Sequence, residues 1–144
     1  MRGFFIIRWR FPGLQVPERQ RHVQRWAGQM LGAMGISLDP QGPRLGEGPV
    51  LLVANHISWL DILVLHASGY CRFISKADVR RWPLIGFMAD GAGTLFIERE
   101  SRRDAHRMVQ QMAERLQAGD VLAVFPEGTT GDGVALKPFH ANLI

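Results

Sequence analysis

The sequence is poor in cysteine and lysine and has no long uninterrupted apolar run. Its single cysteine, Cys71, excludes an internal disulfide and a cysteine-rich metal site, so we expect a reducing compartment. The longest apolar stretch, 50–71, is broken by Asn55, His56 and Asp61, which are costly at the centre of a bilayer. We therefore expect no transmembrane helix, and the short apolar N-terminus lacks the small-residue cleavage site of a secretory signal.

Positive charge is carried almost entirely by arginine, since only two of the 17 basic residues are lysines. Acidic residues number 13, which leaves a net charge of +4, and within residues 1–25 six arginines accompany a single acid. Such a surface favours anionic partners: phospholipid headgroups, phosphorylated cofactors, acidic carrier proteins or nucleic acid. Because no nucleic-acid-binding motif accompanies the charge, we expect membrane lipids as partners and no nucleic acid.

Residues 17–35 have the pattern of an amphipathic helix. Apolar side chains recur at spacings of three and four, at Val23, Trp26, Ala27, Met30, Leu31 and Met34, and arginines occupy the other face. Two interpretations stay open, because the helix can pack on a core with a solvated charged face or can lie on a membrane. We interpret residues 1–44 as a membrane-associating segment, peripheral to the cytoplasmic face of the inner or plasma membrane.

Residues 45–144 have the alternating pattern of an α/β domain, entered through a Gly/Pro-rich link. Apolar runs predict strands at 50–54, 71–75, 94–97 and 121–125, and helical patterns predict helices at about 59–67, 81–89 and 102–118. Strands that alternate with helices indicate a mostly parallel sheet with helices on both faces. In such sheets, functional residues collect at the carboxyl ends of the strands.

A histidine and an aspartate follow the first predicted strand. A histidine that acts as general base needs a partner on its second ring nitrogen, and Asp61 is a candidate partner for His56. A structural alternative stays open, in which Ser58 and Asp61 form a helix-capping box and His56 is a loop residue. Neither Ser58 nor Cys71 lies in a nucleophile elbow, so the pair suits a reaction in which a hydroxyl of the substrate is the nucleophile.

Two later strands also end in polar residues. The strand at 94–97 runs into Arg99, which can hold a phosphate through two hydrogen bonds or pair with a neighbouring glutamate. The strand at 121–125 runs into Pro126 and Glu127, followed by a glycine-rich loop whose alternative explanation is a plain turn with glycines at positive φ. These ends are further candidates for a binding site.

Three blocks of the sequence, taken in order, resemble the first three blocks of the glycerolipid acyltransferase family typified by 1-acylglycerol-3-phosphate acyltransferase. The blocks are His56 with Asp61 in the H-x4-D pattern, Gly93 to Arg99 (GTLFIER), and Phe125 to Thr129 (FPEGT). The linking stretches FISKAD (73–78) and WPLIG (82–86) are similar as well. The resemblance extends over about residues 45–144.

The resemblance implies a function and a role for each matching residue. His56 would deprotonate the hydroxyl of a lysophospholipid, Asp61 would orient His56, and the hydroxyl would attack the thioester of acyl-CoA or an acyl carrier protein. The acceptor, lysophosphatidate in the typical family member, would be positioned by Arg99, Glu127, Gly128 and Thr129. The family uses no metal and no other cofactor, which is consistent with an already activated thioester.

Two departures from the family pattern keep alternatives open. Thr130 stands where the family often has arginine or serine, which weakens the case for a phosphate monoester and makes lyso-ornithine lipid an alternative acceptor. The chain also stops before the fourth block, so we expect it to be a C-terminally incomplete domain. A non-catalytic membrane-surface module and a lipid hydrolase that uses the His-Asp pair on water are the competing functions.

Overall fold

The computed structural model describes residues 6–42, 48–98 and 102–140. A π-helical turn (Ile6–Arg10) and a 3-10 turn (Phe11–Gly13) precede helix α1 (Val16–Ala33). The core then follows as β1 (Val50–Val53), α2 (Leu60–Ser68), β2 (Arg72–Lys76), a 3-10 turn (Ala77–Arg81), α3 (Ile85–Gly91), β3 (Leu95–Ile97), α4 (Arg102–Gln117) and β4 (Val121–Val124). The predicted order of strands and helices is confirmed.

One predicted helix has different bounds. The pattern at 81–89 predicts a continuous helix, whereas the structure has a 3-10 turn that ends at Arg81 and an α-helix that begins at Ile85. Pro83 explains the break, because proline disfavours helical geometry in the residue before it. Trp82 accordingly has an extended backbone, with φ −71° and ψ 127°.

The four strands form a parallel sheet in the order β1-β4-β2-β3. β4 lies in the interior, and it pairs with β1 in a register that runs from Val50 opposite Val121 to Val53 opposite Val124. Parallel pairing places the carboxyl ends of β1 and β4 side by side. The segments that follow them, 54–61 and 125–131, are therefore brought together at one edge of the sheet.

Helices cover both faces of this sheet, as predicted. Alternate residues of β4 face opposite sides: Leu122 and Val124 join a core with Met108 and Met112 of α4, and Val121 and Ala123 join Cys71 and Phe73 on the other side. Residues Ile62 and Leu65 of α2 pack against this second core. Complete burial raises the pKa of the Cys71 thiol to about 12, which makes it a packing residue.

Helix α1 packs on the core through a narrow apolar stripe. Val23, Ala27 and Leu31 are buried at intervals of four residues, and Ala27 and Leu31 contact Leu63 of α2. At the N-terminus of α1, the Glu18 carboxylate accepts the Gln15 amide at 3.0 Å. This arrangement supports the packing interpretation of the amphipathic pattern. Within the described ranges, no helix is long and apolar enough to cross a membrane.

His66 of α2 is buried with an unsatisfied nitrogen, which predicts acid sensitivity. Its Nδ1 has no hydrogen-bond partner within the described part of the chain, and the ring packs edge-on against Phe73 with centroids 4.9 Å apart. Burial lowers the pKa of His66 from 6.5 to about 4. Between these values the unfolded chain binds a proton that the folded chain does not, so the free energy of unfolding falls as the pH drops.

We expect wild type to lose up to about 3 kcal/mol of unfolding free energy between about pH 6.5 and pH 4 through this residue. His66→Phe removes the titrating group and should flatten that part of the profile. The measurement is urea unfolding of both proteins at several pH values. The two proteins differ only at residue 66, so the difference between the two profiles isolates His66, and parallel profiles would contradict the assignment.

Candidate active site

The candidate site is built where β1 and β4 end. The Ala54 amide donates to the Val124 carbonyl at 3.1 Å, which extends the ladder one residue past the strands. Two residues later, the His56 amide donates to Glu127 Oε2 at 2.6 Å. This bond joins residues 71 positions apart in the sequence. Strand pairing therefore brings the first and third predicted blocks into direct contact.

His56 and Asp61 form the pair that the sequence predicts. His56 Nδ1 lies 2.8 Å from Asp61 Oδ2. An ionised carboxylate only accepts hydrogen bonds, so the hydrogen is assigned to Nδ1, which leaves a lone pair on Nε2. The imidazole also stacks on Phe125, with ring centroids 4.0 Å apart and planes 13° from parallel. The ring is thus held on one face by an aromatic ring and on one side by a carboxylate, which is the partner that a histidine needs to act as a general base.

The same carboxylate oxygen also organises the start of α2. Asp61 Oδ2 accepts the Ile57 amide at 2.8 Å and the Ser58 amide at 3.0 Å. Ser58 Oγ accepts the Leu60 amide at 3.2 Å. The capping and His-Asp interpretations are therefore not alternatives, because one oxygen takes part in both.

Asp61 stays ionised in this environment. Partial burial by itself would raise the pKa of Asp61, but the amides of Ser58 and Ile57 and the hydrogen bond from His56 outweigh burial and lower it. The carboxylate therefore faces the imidazole as an anion at neutral pH and accepts the hydrogen bond from Nδ1.

Glu127 is buried between backbone amides. Its side chain is 4% exposed, Oε2 accepts the His56 amide, and Oε1 accepts the Lys137 amide at 2.9 Å. The two amides, first His56 and then Lys137, lower the pKa of the Glu127 carboxyl. Both oxygens thus hold main chain in place. The acceptor contact implied for Glu127 by the family resemblance stays a prediction.

The loop after β4 folds back over the site. Gly128 adopts φ 69°, and the Gly131 amide donates to the His56 carbonyl at 2.6 Å. Lys137 Nζ donates to the Thr130 carbonyl at 2.7 Å, and Thr129 is exposed beside it. Sequence reasoning missed Lys137, because its contact with Glu127 uses the backbone amide, which no residue type reveals. The stacking of Phe125 was missed too, although Phe125 belongs to a recognised block.

A cavity of about 330 Å³ lies at the same edge of the sheet, past β2 and β3. Three arginines, Arg80, Arg81 and Arg107, line it together with the acids Glu98 and Asp104. Arg99, predicted to hold an anionic headgroup, lies outside the described residues, and its role stays a prediction. Among residues 6–42, 48–98 and 102–140, no three His, Cys, Asp or Glu side chains are grouped to hold a metal ion.

The role of Glu127 in positioning His56 predicts the effect of Glu127→Gln. The glutamine keeps one acceptor oxygen but turns an N–H donor toward a backbone N–H, which leaves a buried donor unsatisfied. We expect a lower Tm and faster amide hydrogen exchange at His56 or Lys137. The exposed Thr129→Val is the matched control with unchanged exchange. Equal protection of both amides in Glu127→Gln and wild type would refute the positioning role.

The chain is similar to known lipid acyltransferases. A family model described as Acyltransferase matches residues 20–144. The chain is 44% identical over 139 residues to a lyso-ornithine lipid O-acyltransferase of Pseudomonas aeruginosa, covering 96% of this chain and 53% of the relative. It is 41% identical over 127 residues to a 1-acyl-sn-glycerol-3-phosphate acyltransferase of Neisseria meningitidis, covering 87% and 49%.

The fold has a solved counterpart. The crystal structure of the 1-acyl-sn-glycerophosphate acyltransferase PlsC of Thermotoga maritima matches with a TM-score of 0.72 at 19% identity, over 96% of this chain and 58% of that one. The chain spans about half the length of the curated relatives that it matches. The α/β fold and the extended match to the family model agree with the three sequence blocks, and the chain belongs to the acyltransferase family.

Proposed function

We propose that the protein transfers a fatty acyl group from acyl-CoA or an acyl carrier protein to the free hydroxyl of a lysophospholipid, with lysophosphatidate as acceptor and phosphatidate as product. The observation that carries this proposal is the 2.8 Å contact between His56 Nδ1 and Asp61 Oδ2, which leaves Nε2 as a base. Relatives named as acyltransferases of such lipids support the same chemistry.

In the proposed reaction, His56 Nε2 takes the proton of the acceptor hydroxyl as its oxygen attacks the thioester carbonyl. Asp61 stabilises the resulting imidazolium through Nδ1. The tetrahedral intermediate then collapses, the carbon–sulfur bond breaks, and His56 returns the proton to the departing thiolate. The two candidate nucleophiles considered above, Ser58 and Cys71, take no part in this reaction: Ser58 Oγ accepts the Leu60 amide, and Cys71 is fully buried.

Preorganisation accounts for the residues around this pair. The Phe125 ring and the Asp61 carboxylate hold the imidazole, and Glu127 holds the backbone of His56. A base that is fixed before the substrate arrives loses little freedom when the reaction occurs, which lowers the barrier. We assign Glu127 chiefly to this positioning, and we assign contact with the acceptor to the half-buried Gly128 and the exposed Thr129.

The anionic headgroup of the acceptor is proposed to bind past the end of β3. Arg99 follows that strand in the sequence. The cavity lined by Arg80, Arg81 and Arg107 adjoins the end of β3. Guanidinium groups bind phosphate through paired hydrogen bonds. The acceptor with an ornithine headgroup is the second candidate, because Thr130 occupies the position where an additional arginine would favour a phosphate monoester.

We also propose that the protein binds the cytoplasmic face of a membrane as a peripheral protein. Its acceptor is a membrane lipid, and the N-terminal segment carries the largest excess of arginine. In that segment, Trp9 is 73% exposed and the Arg8 guanidinium lies 5.5 Å from its ring centroid. Exposed tryptophan beside arginine is typical of segments that lie at a membrane interface.

The His-Asp pair is tested by thiol release from long-chain acyl-CoA and from acyl-carrier protein, with and without lysophosphatidate. We expect His56→Ala to lower acceptor-dependent release about a thousandfold, and Asp61→Asn at least about a hundredfold, because base and orientation are lost. Ser58→Ala is the matched control. It removes a bond at the start of α2, so it should lower Tm but leave turnover within about twofold.

The other outcomes identify the competing functions. Thiol release that does not depend on an acceptor, and that is lost in His56→Ala, would indicate a hydrolase. Folded wild type that binds lipid vesicles but releases no thiol with any donor and acceptor would indicate a membrane-surface module. Equal losses in Ser58→Ala and Asp61→Asn would mean that Asp61 serves only the helix.

Thr130→Arg tests the choice of acceptor. The side chain of Thr130 is exposed, and its carbonyl, which accepts Lys137 Nζ, is kept in any substitution. We expect the arginine to raise kcat/KM for lysophosphatidate over that for lyso-ornithine lipid by about tenfold, because it adds a guanidinium for the phosphate. Thr130→Gln is the uncharged control of similar length. An equal change for both acceptors would remove Thr130 from headgroup selection.

A further inference from the structure

Many of the exposed apolar side chains lie at the carboxyl edge of the sheet. Of the 14 large ones among the described residues, eight occur in three connections: 57–59 after β1, 82–85 after β2 and 134–139 after β4. This is the edge that carries His56 and Asp61. Soluble proteins rarely expose contiguous apolar patches without a function, and larger ones mark protein, ligand or membrane contacts.

The connection after β2 has the most distinctive shape. Trp82, Leu84 and Ile85 are 54%, 56% and 53% exposed within four consecutive residues. The segment makes a tight connection, because the start of α3 packs directly against the preceding 3-10 turn. A Cβ atom added to Gly86 would clash with the Arg80 carbonyl. We call residues 82–85 the apolar loop.

Leu84 forms the tip of this loop in a costly conformation. It has φ 63° and ψ −52°, and the Ile85 amide donates to the Pro83 carbonyl at 2.7 Å. These are the features of a classic γ-turn, which is rare and strained. Among the described residues, Leu84 is the one non-glycine residue at positive φ. Glycine would avoid this strain, so the side chain itself calls for an explanation.

Arginines flank the apolar loop. Arg81 is 83% exposed, and among the described residues its guanidinium forms one weak ion pair, 3.9 Å from Asp78. Arg80 is 63% exposed and is held by Asp90 at 2.9 Å. A guanidinium has five N–H donors, so both arginines keep donors for another anion. Tryptophan and leucine beside arginine is a combination suited to the boundary between lipid headgroups and acyl chains.

We propose that the apolar loop inserts into a bilayer that contains anionic lipid and docks the catalytic edge of the sheet on its surface. This inference rests on the proposed function, since the acceptor of that reaction is a membrane lipid. Trp82, Leu84 and Ile85 enter the interface, and Arg80 and Arg81 meet lipid phosphates. The γ-turn at Leu84 directs its side chain outward, and the loop thereby adds a contact separate from the N-terminal segment.

Leu84→Gly separates a membrane role from a structural one. Glycine adopts positive φ without strain, so the variant should have an equal or higher Tm while it loses the apolar side chain. We expect it to bind vesicles of phosphatidylcholine and phosphatidylglycerol about tenfold more weakly in co-sedimentation, the effect of partly burying one leucine. Trp82→Ala should weaken binding likewise. The control Val109→Ser removes an apolar side chain of similar exposure, 53% against 56% for Leu84, on α4 and should bind as wild type does.

Activity measurements distinguish the failure of this inference from failure of the proposed function. If the apolar loop docks the protein, Leu84→Gly retains wild-type turnover on an acceptor dispersed below its micelle concentration, whereas its turnover on the same acceptor in vesicles falls by up to about tenfold, as its binding does. If Leu84→Gly and Trp82→Ala both bind vesicles as tightly as wild type does, the inference is overturned and the acyltransferase proposal is left intact.

A dimer seen by sedimentation velocity in wild type but lost in the loop variants, with vesicle binding unchanged, would also overturn the inference and would identify a second copy as the partner. Absence of turnover in every form would instead contradict the proposed function.

Discussion

The candidate site depends on one hydrogen bond between distant parts of the chain, from the His56 amide to the buried carboxylate of Glu127. It forms because β1 and β4 are parallel neighbours, so the segments that follow these two strands leave the sheet at the same edge. The second oxygen of Glu127 accepts the Lys137 amide, so one carboxylate connects the end of β1 to the loop after β4. The imidazole then stacks on Phe125, the second residue before Glu127.

One oxygen atom of Asp61 both stabilises the start of α2 and contacts the His56 ring. Its Oδ2 accepts two amides at the start of α2 and the His56 ring nitrogen. The amides keep the carboxylate ionised and fixed, which is the state that a partner of a general base must have. A helix start that satisfies its free amides with an aspartate thereby supplies an oriented anion to the neighbouring histidine. Structural and chemical explanations of Asp61 are consequently inseparable in the folded protein.

Polar side chains of the candidate site and exposed apolar side chains lie at the same edge of the sheet. The carboxyl ends of the strands hold His56, Asp61 and an arginine-lined cavity, while the connections between them expose tryptophan, leucine and isoleucine. Within the sheet, by contrast, β4 exposes none of its side chains and is buried along its whole length. This distribution suits chemistry on a lipid, because the acyl chains and the reacting hydroxyl need different surroundings within a short distance.

Local patterns in the sequence were enough to predict the order of strands and helices, the parallel α/β class and the proximity of His56 to Asp61. These features depend on periodicity and on contacts five residues apart, which the chain encodes locally. Pro83 was present in the sequence, yet the break that it makes in the helix predicted at 81–89 was not foreseen. Tertiary structure alone decided that β4 lies beside β1, that Glu127 holds the His56 backbone, and that Phe125 supports its ring. Strand order and backbone amide contacts bring distant segments together, and neither leaves a periodic or compositional signal in the residues involved.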